Sequence, residues 1–369
     1  MASGFNNSRT IVLEEPGRFI ERVFRIPEIG ADEFLIRVDM VTICGGDLIE
    51  YRGENRKAHY PLLMGHELVG TVQTIGQTAA IRHGVEVGDK VMVEPYIRCG
   101  QCEYCLRGAY HFCEAGMVYG VTISCDRPPH LWGAYSQYLY GAPGARVHRL
   151  SPSVSDQAGC MVTVLGNGVR WVRTRGQMRI GENVLITGLG VQALASVAVA
   201  RAAGAQQVVV ACREEFGPRL QLARDLGATH IVAVDDIPAG TADMAAIRKI
   251  VGVTGGGPEL AVECTGAEPM MSLAVSALKP SGRIVAAGTR GGRPLSLDLD
   301  EVVFKEVTIL GGLGQAGDTE LAAALVNSGE LPIERMVSHV FPLGDAAKAL
   351  ELMMEGRDEV VHIGLDPWS

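Results

Sequence analysis

Four cysteines crowd one short stretch of the chain. Cys99, Cys102, Cys105 and Cys113 stand in the pattern Cys-x2-Cys-x2-Cys-x7-Cys. Four thiolates at that spacing can close a tetrahedron around Zn2+, which takes sulfur ligands at roughly 2.3 Å. Gly100 and Gly108 allow the loop to fold back around the ion. With no coordination position left open, such a zinc would be structural, tying down a segment that has no core of its own. The bland alternative is a disulfide pair or four unrelated buried thiols, and spacing this tight argues against it.

A second group is dispersed. Cys44 sits in Ile43-Cys44-Gly45-Gly46-Asp47, and His66 and Glu67 in Gly65-His66-Glu67-Leu68-Val69-Gly70. A thiolate and an imidazole are good zinc ligands, and an adjacent carboxylate can complete or tune the shell. Three protein ligands plus water describe a catalytic zinc that acts as Lewis acid on a carbonyl or alkoxide oxygen. Taken alone the signal is weak, because a single buried histidine is more often a core residue.

A third pattern points to a nucleotide. Val184-Leu185-Ile186-Thr187 runs into Gly188-Leu189-Gly190-Val191-Gln192-Ala193, followed by small residues to Ala203. Gly-x-Gly-x-x-Ala between a strand and a helix is a dinucleotide fingerprint. Gly188 makes the turn, Gly190 lets the backbone approach a pyrophosphate, and Ala193 is small enough for helix–strand packing. The anion would sit at the start of the helix opening with Val191, where unpaired N–H groups and the dipole favour it. A glycine turn in a flavodoxin-like domain without ligand is the alternative.

Elements must position these groups. The chain has 369 residues, 47% hydrophobic and 20% charged, which excludes a largely disordered chain and suggests two domains. A net charge of −9 argues against nucleic acid as a partner. No export or membrane segment stands out, so a cytoplasmic protein acting on a small molecule is the expectation. The first 160 or so residues carry short β-branched runs separated by glycine: 11–13, 34–41, 69–75 and 90–93. Beyond about Leu165, apolar runs at 184–187, 208–211, 231–234, 260–263 and 283–287 alternate with helical segments at 192–203, 218–226, 242–251 and 269–278. That alternation predicts a parallel sheet covered on both faces. Helices are also expected at 319–327 and from about Gly344, with Leu350 and Met353 on one face.

Gly65-His66-Glu67-x-x-Gly70-x5-Gly76-x2-Ala79, with the four-cysteine run, Gly88-Asp89-Lys90-Val91 and Trp132-Gly133-Ala134-Tyr135, resembles the zinc-dependent medium-chain alcohol and polyol dehydrogenases from about residue 10 onward. The resemblance implies an α/β protein: a GroES-like, β-rich catalytic domain (1–163), a doubly wound Rossmann domain (164–312), and a return of the chain to the first domain (313–369). It implies zinc-assisted hydride transfer between an alcohol and a nicotinamide, with Cys44, His66 and Glu67 at the metal and Asp47 orienting His66. A homodimer or homotetramer follows from family habit.

Two departures stand out. Where many members carry a serine or threonine to relay the alcohol proton, this chain has Gly46, and Ile49 replaces a relay histidine. The family's third metal ligand falls on Val164, which cannot coordinate. Either Glu67 binds the metal directly, the preferred reading, or Cys160 reaches in, or the catalytic zinc is weak or absent. The proton must then leave by a water held by Glu67, the cofactor ribose or the substrate; Tyr51, Arg52 and His59 follow on the same segment.

At the end of the second Rossmann strand, where a carboxylate would grip the ribose of NAD, stand Cys212 and Arg213. A guanidinium can take a 2′-phosphate bidentately, so NADP is favoured over NAD, with Glu214 and Glu215 keeping NAD open. Thr265 and Gly288 lie at later strand ends, where small residues admit the nicotinamide and ribose. Trp132, Tyr119 and Arg127-Pro128-Pro129-His130 are expected near the substrate pocket. Two other functions compete: NADPH-dependent 1,4-reduction of a conjugated carbonyl, and a dinucleotide-binding protein without turnover.

Overall fold

The computed structural model describes residues 6–213, 217–234 and 243–369, so Glu214, Glu215 and Ala242 lie outside the described residues. The chain forms two compact units: Met1–Thr163 with Val326–Gly329 and Ile333–Ser369, and Val164–Leu325 with Glu330–Pro332.

The first unit is β-rich. Its seven-stranded sheet runs Val147–Arg149, Lys90–Val93, Glu67–Ile75, Phe34–Thr42, Ile363–Asp366, His339–Pro342, and Tyr138–Gly141 also pairs with Phe34–Thr42. Phe34–Thr42 is the hub because seven of its nine residues are buried, leaving only Arg37 and Asp39 partly open. A three-stranded sheet (Arg18–Arg25, Asn7–Glu15, Leu62–Leu63) and a ribbon of Tyr96–Ile97 with Met117–Val118 complete the β structure. One core cluster joins Val12, Phe34, Ile36, Leu63 and Tyr135 to Leu350 and Ile363 near the C-terminus. Met353 packs against that cluster from the helix Ala346–Glu355.

The second unit is a six-stranded sheet in the order His230–Ala233, Val208–Cys212, Val184–Thr187, Leu260–Glu263, Arg283–Ala286, Thr308–Gly311. Every adjacent pair is parallel. Val184–Thr187, Val208–Cys212 and Leu260–Glu263 are buried along their whole length, as continuous apolar runs in a sheet covered on both faces should be. In this unit the expected strands and helices recur with ends shifted by three residues or fewer, whereas in the first unit the expected strand 11–13 extends to Asn7–Glu15. The sixth strand, Thr308–Gly311, is an addition to the expectation: it is an edge strand with mostly exposed side chains, so it lacks the buried run that marks the others. The C-terminal strands His339–Pro342 and Ile363–Asp366 and the helix Gln77–His83 are likewise additions. Among the described residues no helix is long and apolar enough to cross a membrane.

Candidate metal and nucleotide sites

Three neighbouring strands bring the dispersed group together. Thr42, at the end of the hub strand, pairs with Glu67, the first residue of Glu67–Ile75, and on its other side with Gly364. Cys44 follows the hub strand, His66 precedes Glu67–Ile75, and His362 precedes Ile363–Asp366. The result is a cluster, buried at Glu67 and half-buried at Cys44 and His66, in which one ligand atom from each of the three lies within 4.8 Å of the others.

Side-chain hydrogen bonds set the orientations. Glu67 Oε2 accepts from Thr42 Oγ1 at 2.9 Å and pairs with His362 Nε2 at 2.8 Å. Asp47 Oδ2 accepts from the Cys44 backbone N–H and from the Tyr135 hydroxyl, both at 3.0 Å. Asp47 Oδ1 lies 3.7 Å from His66 Nδ1, an ion-pair separation rather than a hydrogen bond, and both atoms are buried without a hydrogen-bond partner.

The electrostatics of the cluster are those of a site short of positive charge. Burial pushes the Cys44 thiol well above its ordinary range, with Glu67 and Asp47 adding to the effect. Burial also pushes Asp47 well up, helped by Glu50 and Glu67. Burial acts to raise Glu67 too, but His362, His66 and Thr42 outweigh it and hold that carboxyl below its usual range. Desolvation lowers His66, favouring the neutral ring that ligates metals. A divalent cation among these donors would satisfy the thiol, the imidazole and the carboxylate together. The donor set fits zinc.

Other sequence candidates fall elsewhere. Cys160 is fully buried and its thiol donates to Met40 O at 3.3 Å; it is not among the clustered ligand atoms. Val164 is a buried apolar side chain. The Tyr51 hydroxyl donates to Gly17 O at 3.2 Å, while Arg52 and His59 are exposed. Tyr119 and Trp132 are core residues: Ala142 N–H donates to Tyr119 Oη at 2.9 Å, and Trp132 Nε1 donates to Arg127 O at 2.8 Å.

Sequence reasoning passed over Thr42, His362 and Glu50. His362 stands 295 positions from Glu67 and carries no local signal of its role. Glu50, on the short helix Asp47–Tyr51, is buried although its neighbours Ile49 and Tyr51 are at least partly exposed.

The four-cysteine lobe is a local construction. Cys99, Cys102, Cys105 and Cys113 also bring one ligand atom each within 4.8 Å of one another. Backbone N–H groups of Cys99 and Cys102 point at the sulfurs of Cys113 and Cys99, at 3.3 and 3.4 Å. Backbone donors from Gln101 and Cys102 bring the exposed Cys99 thiol down to about 6. Such N–H groups stabilise thiolates, the form that ligates zinc.

In the second unit, Gly188 has φ +88°, and a Cβ there would come within 2.7 Å of Thr265 Cγ2, so only glycine suits the turn. Gly190 caps the helix Val191–Ala202, with nothing within 4 Å of an added Cβ. Glu263 anchors the neighbouring strand end: it accepts from Thr187 Oγ1 at 3.1 Å, from Thr265 N at 2.7 Å, from Thr265 Oγ1 and from Gly266 N at 3.0 Å. A Cβ on Gly288 would fall 2.0 Å from Gly266 N, so the two backbones touch there. Cys212 is buried within its strand and Arg213, the next residue, is exposed.

Residues 30–152 match the alcohol dehydrogenase GroES-like domain and residues 193–328 the zinc-binding dehydrogenase domain. The chain is 36% identical to a probable alcohol dehydrogenase of Mycobacterium tuberculosis, over 97% of this chain and 98% of that protein. It is 30% identical to the sorbitol dehydrogenase of Macaca fascicularis, over 97% and 96%. A putative zinc-binding dehydrogenase from Sinorhizobium meliloti 1021, solved bound to NADP, superposes with a TM-score of 0.82 at 25% identity, covering 98% of this chain and 99% of that one. A short chain alcohol dehydrogenase (rspB) from E. coli CFT073, solved with NADH, gives the same TM-score, identity and coverage. The chain belongs to the zinc-dependent medium-chain dehydrogenase/reductase family and is an oxidoreductase of the alcohol dehydrogenase type.

Proposed function

We propose that this enzyme interconverts a secondary alcohol, or one hydroxyl of a polyol, and the corresponding ketone. The observation that carries the reading is the clustering of Cys44, His66 and Glu67, with orphaned polar atoms on His66 and Asp47 beside them. Cys44, His66 and Glu67 would hold the catalytic zinc, and Cys99, Cys102, Cys105 and Cys113 a structural one. A bound zinc supplies Lewis acidity that lowers the pKa of a hydroxyl at the site, and a nicotinamide supplies the hydride acceptor.

The chain's own residues supply the rest. Asp47 fixes the Cys44 loop through its backbone N–H and faces His66 Nδ1, which leaves the other ring nitrogen for the metal. Thr42 and His362 occupy Glu67 Oε2 and so aim that carboxylate. Direct ligation by Glu67 is favoured over Cys160, whose proton is committed to Met40 O. In the second unit, Gly188, Gly190 and the helix start at Val191 would receive the pyrophosphate, and Thr265 and Gly288 the nicotinamide and its ribose.

NADP is favoured over NAD, because the strand ending at Cys212 presents no carboxylate and is followed by exposed Arg213. Comparing kcat/KM for the two cofactors in the parent and in Arg213→Ala checks this: the parent prefers NADP, and the variant loses about tenfold or more of that preference. The wider reading is tested by metal analysis beside turnover. The parent carries two zincs per chain and oxidises secondary alcohols; Cys44→Ala carries one and is inactive. One zinc in the parent, or reduction confined to conjugated alkenes and indifferent to a chelator, would overturn it.

A further inference from the structure

Glu50 is buried to 4% exposure, yet its Oε2 has no hydrogen-bond partner among the described residues. Its other oxygen, Oε1, accepts from Asn55 Nδ2 at 2.7 Å. A buried carboxylate oxygen without a donor costs free energy unless something absent from the protein itself meets it. What lies next to it is Gly46. A Cβ built on Gly46 would meet two atoms within 4 Å, Cys44 Sγ at 3.7 Å and Glu50 Oε2 at 4.0 Å. The missing side chain therefore leaves a notch bounded on one side by a proposed metal ligand and on the other by the unpartnered carboxylate.

We propose that Glu50 is the proton acceptor of the alcohol oxidation, taking the hydroxyl proton through a water seated in the notch beside Gly46. This rests on the functional reading above and adds to it the group that receives the proton. In the oxidative direction the substrate O–H bond breaks with its electron pair left on oxygen, and the proton goes to the notch water. One of that water's protons passes to Glu50 Oε2. The carbinol C–H bond would break with its pair as hydride as the C=O bond forms, the chemistry for which a bound oxidised dinucleotide would supply the acceptor. Glu50 returns its proton to solvent by the same water before the next turnover, and reduction runs these steps in reverse.

The surroundings suit the task. The titratable groups facing Glu50 are Asp47 on its own helix and Tyr60, whose hydroxyl donates to the Glu50 backbone carbonyl at 2.5 Å. No salt bridge to Glu50 forms among the described residues. Burial raises its carboxyl above the ordinary range, with Asn55 opposing, which brings a carboxylate closer to the pKa of an effective base.

Glu50→Gln tests this, since the amide oxygen can still accept from Asn55 and the volume is unchanged. Alcohol oxidation is followed against pH in parent and variant, with metal content and thermal melting measured on both. The expected result is a kcat lowered about 100-fold with KM within about threefold, the typical size of lost acid–base catalysis. Bound zinc and melting stay at the parent's values. The acidic limb of the parent's kcat profile, where Glu50 becomes protonated as pH falls, is absent from the variant. A kcat within about threefold of the parent, a loss confined to KM, an unchanged acidic limb, or a loss that tracks missing zinc each overturns the proposal. If the parent itself fails to oxidise alcohols, the underlying reading falls and takes this one with it. If the parent works and the variant works equally well, only the role of Glu50 falls.

Discussion

The two cysteine-containing clusters solve the same problem in opposite ways. The lobe draws all four sulfurs from fifteen consecutive residues, keeps Cys99 exposed, and satisfies thiolates with backbone N–H groups of its own turns. The Cys44 centre draws on four separated places, 42–50, 66–67, 135 and 362, and buries Thr42, Asp47, Glu50, Glu67, Tyr135 and His362 while Cys44 and His66 stay partly open. A local site can be shaped by turns before the rest of the domain exists. An assembled one depends on sheet register, since Thr42 opposite Glu67 and Gly364 is what sets the Glu67 partners in place. The lobe buys rigidity, whereas the assembled centre obtains strong electrostatics among its desolvated groups.

That contrast can be pressed hardest at His362. In His362→Ala, Glu67 loses a buried partner, and zinc affinity at the Cys44 centre falls about 10–100-fold, as is usual for residues that orient ligands. Chelator competition reads this directly, and His362→Gln, which keeps a donor, recovers most of it. An unchanged affinity in His362→Ala would mean that the register does not matter to the centre. Cys99→Ser makes the opposite demand. It should abolish one zinc and lower the melting temperature by several degrees, while initial turnover by the folded fraction stays within a few-fold of the parent. Lost chemistry at full stability would erase the distinction between the clusters.

The smallest effect is a difference in thiol reactivity. In zinc-stripped protein at pH 7, Cys99 is largely thiolate because its pKa is about 6, and it alkylates readily. Labelling there falls as pH drops through 6. Cys44, held well above the ordinary thiol range by burial, stays protonated and is labelled well after Cys99; peptide mass spectrometry follows both.

Legibility followed the same division. The lobe and the Gly188–Ala193 turn are read from spacing because their geometry is local. The buried Rossmann strands are visible as continuous apolar runs, while edge strand Thr308–Gly311 escapes notice because three of its four residues are exposed and none is buried. Cys44, His66 and Glu67 are recognisable through a family pattern, not through periodicity. His362 is invisible in sequence: a histidine before a short strand acquires meaning only when the register sets it against residue 67. Glu50 is hidden for a different reason. On a five-residue helix between two less buried neighbours it looks like an ordinary solvated carboxylate, and only packing reveals the unmet oxygen.

The partnership of residues 67 and 362 has a consequence for synthesis. A ribosome adding about 5–20 residues per second needs roughly 15–60 s to travel from one to the other. During that interval the cysteine lobe is already translated and competent to capture an ion, whereas Glu67 waits unpartnered for a strand not yet made. A cell short of zinc would thus load the nascent polypeptide in a defined order, scaffold first and reactive pocket last.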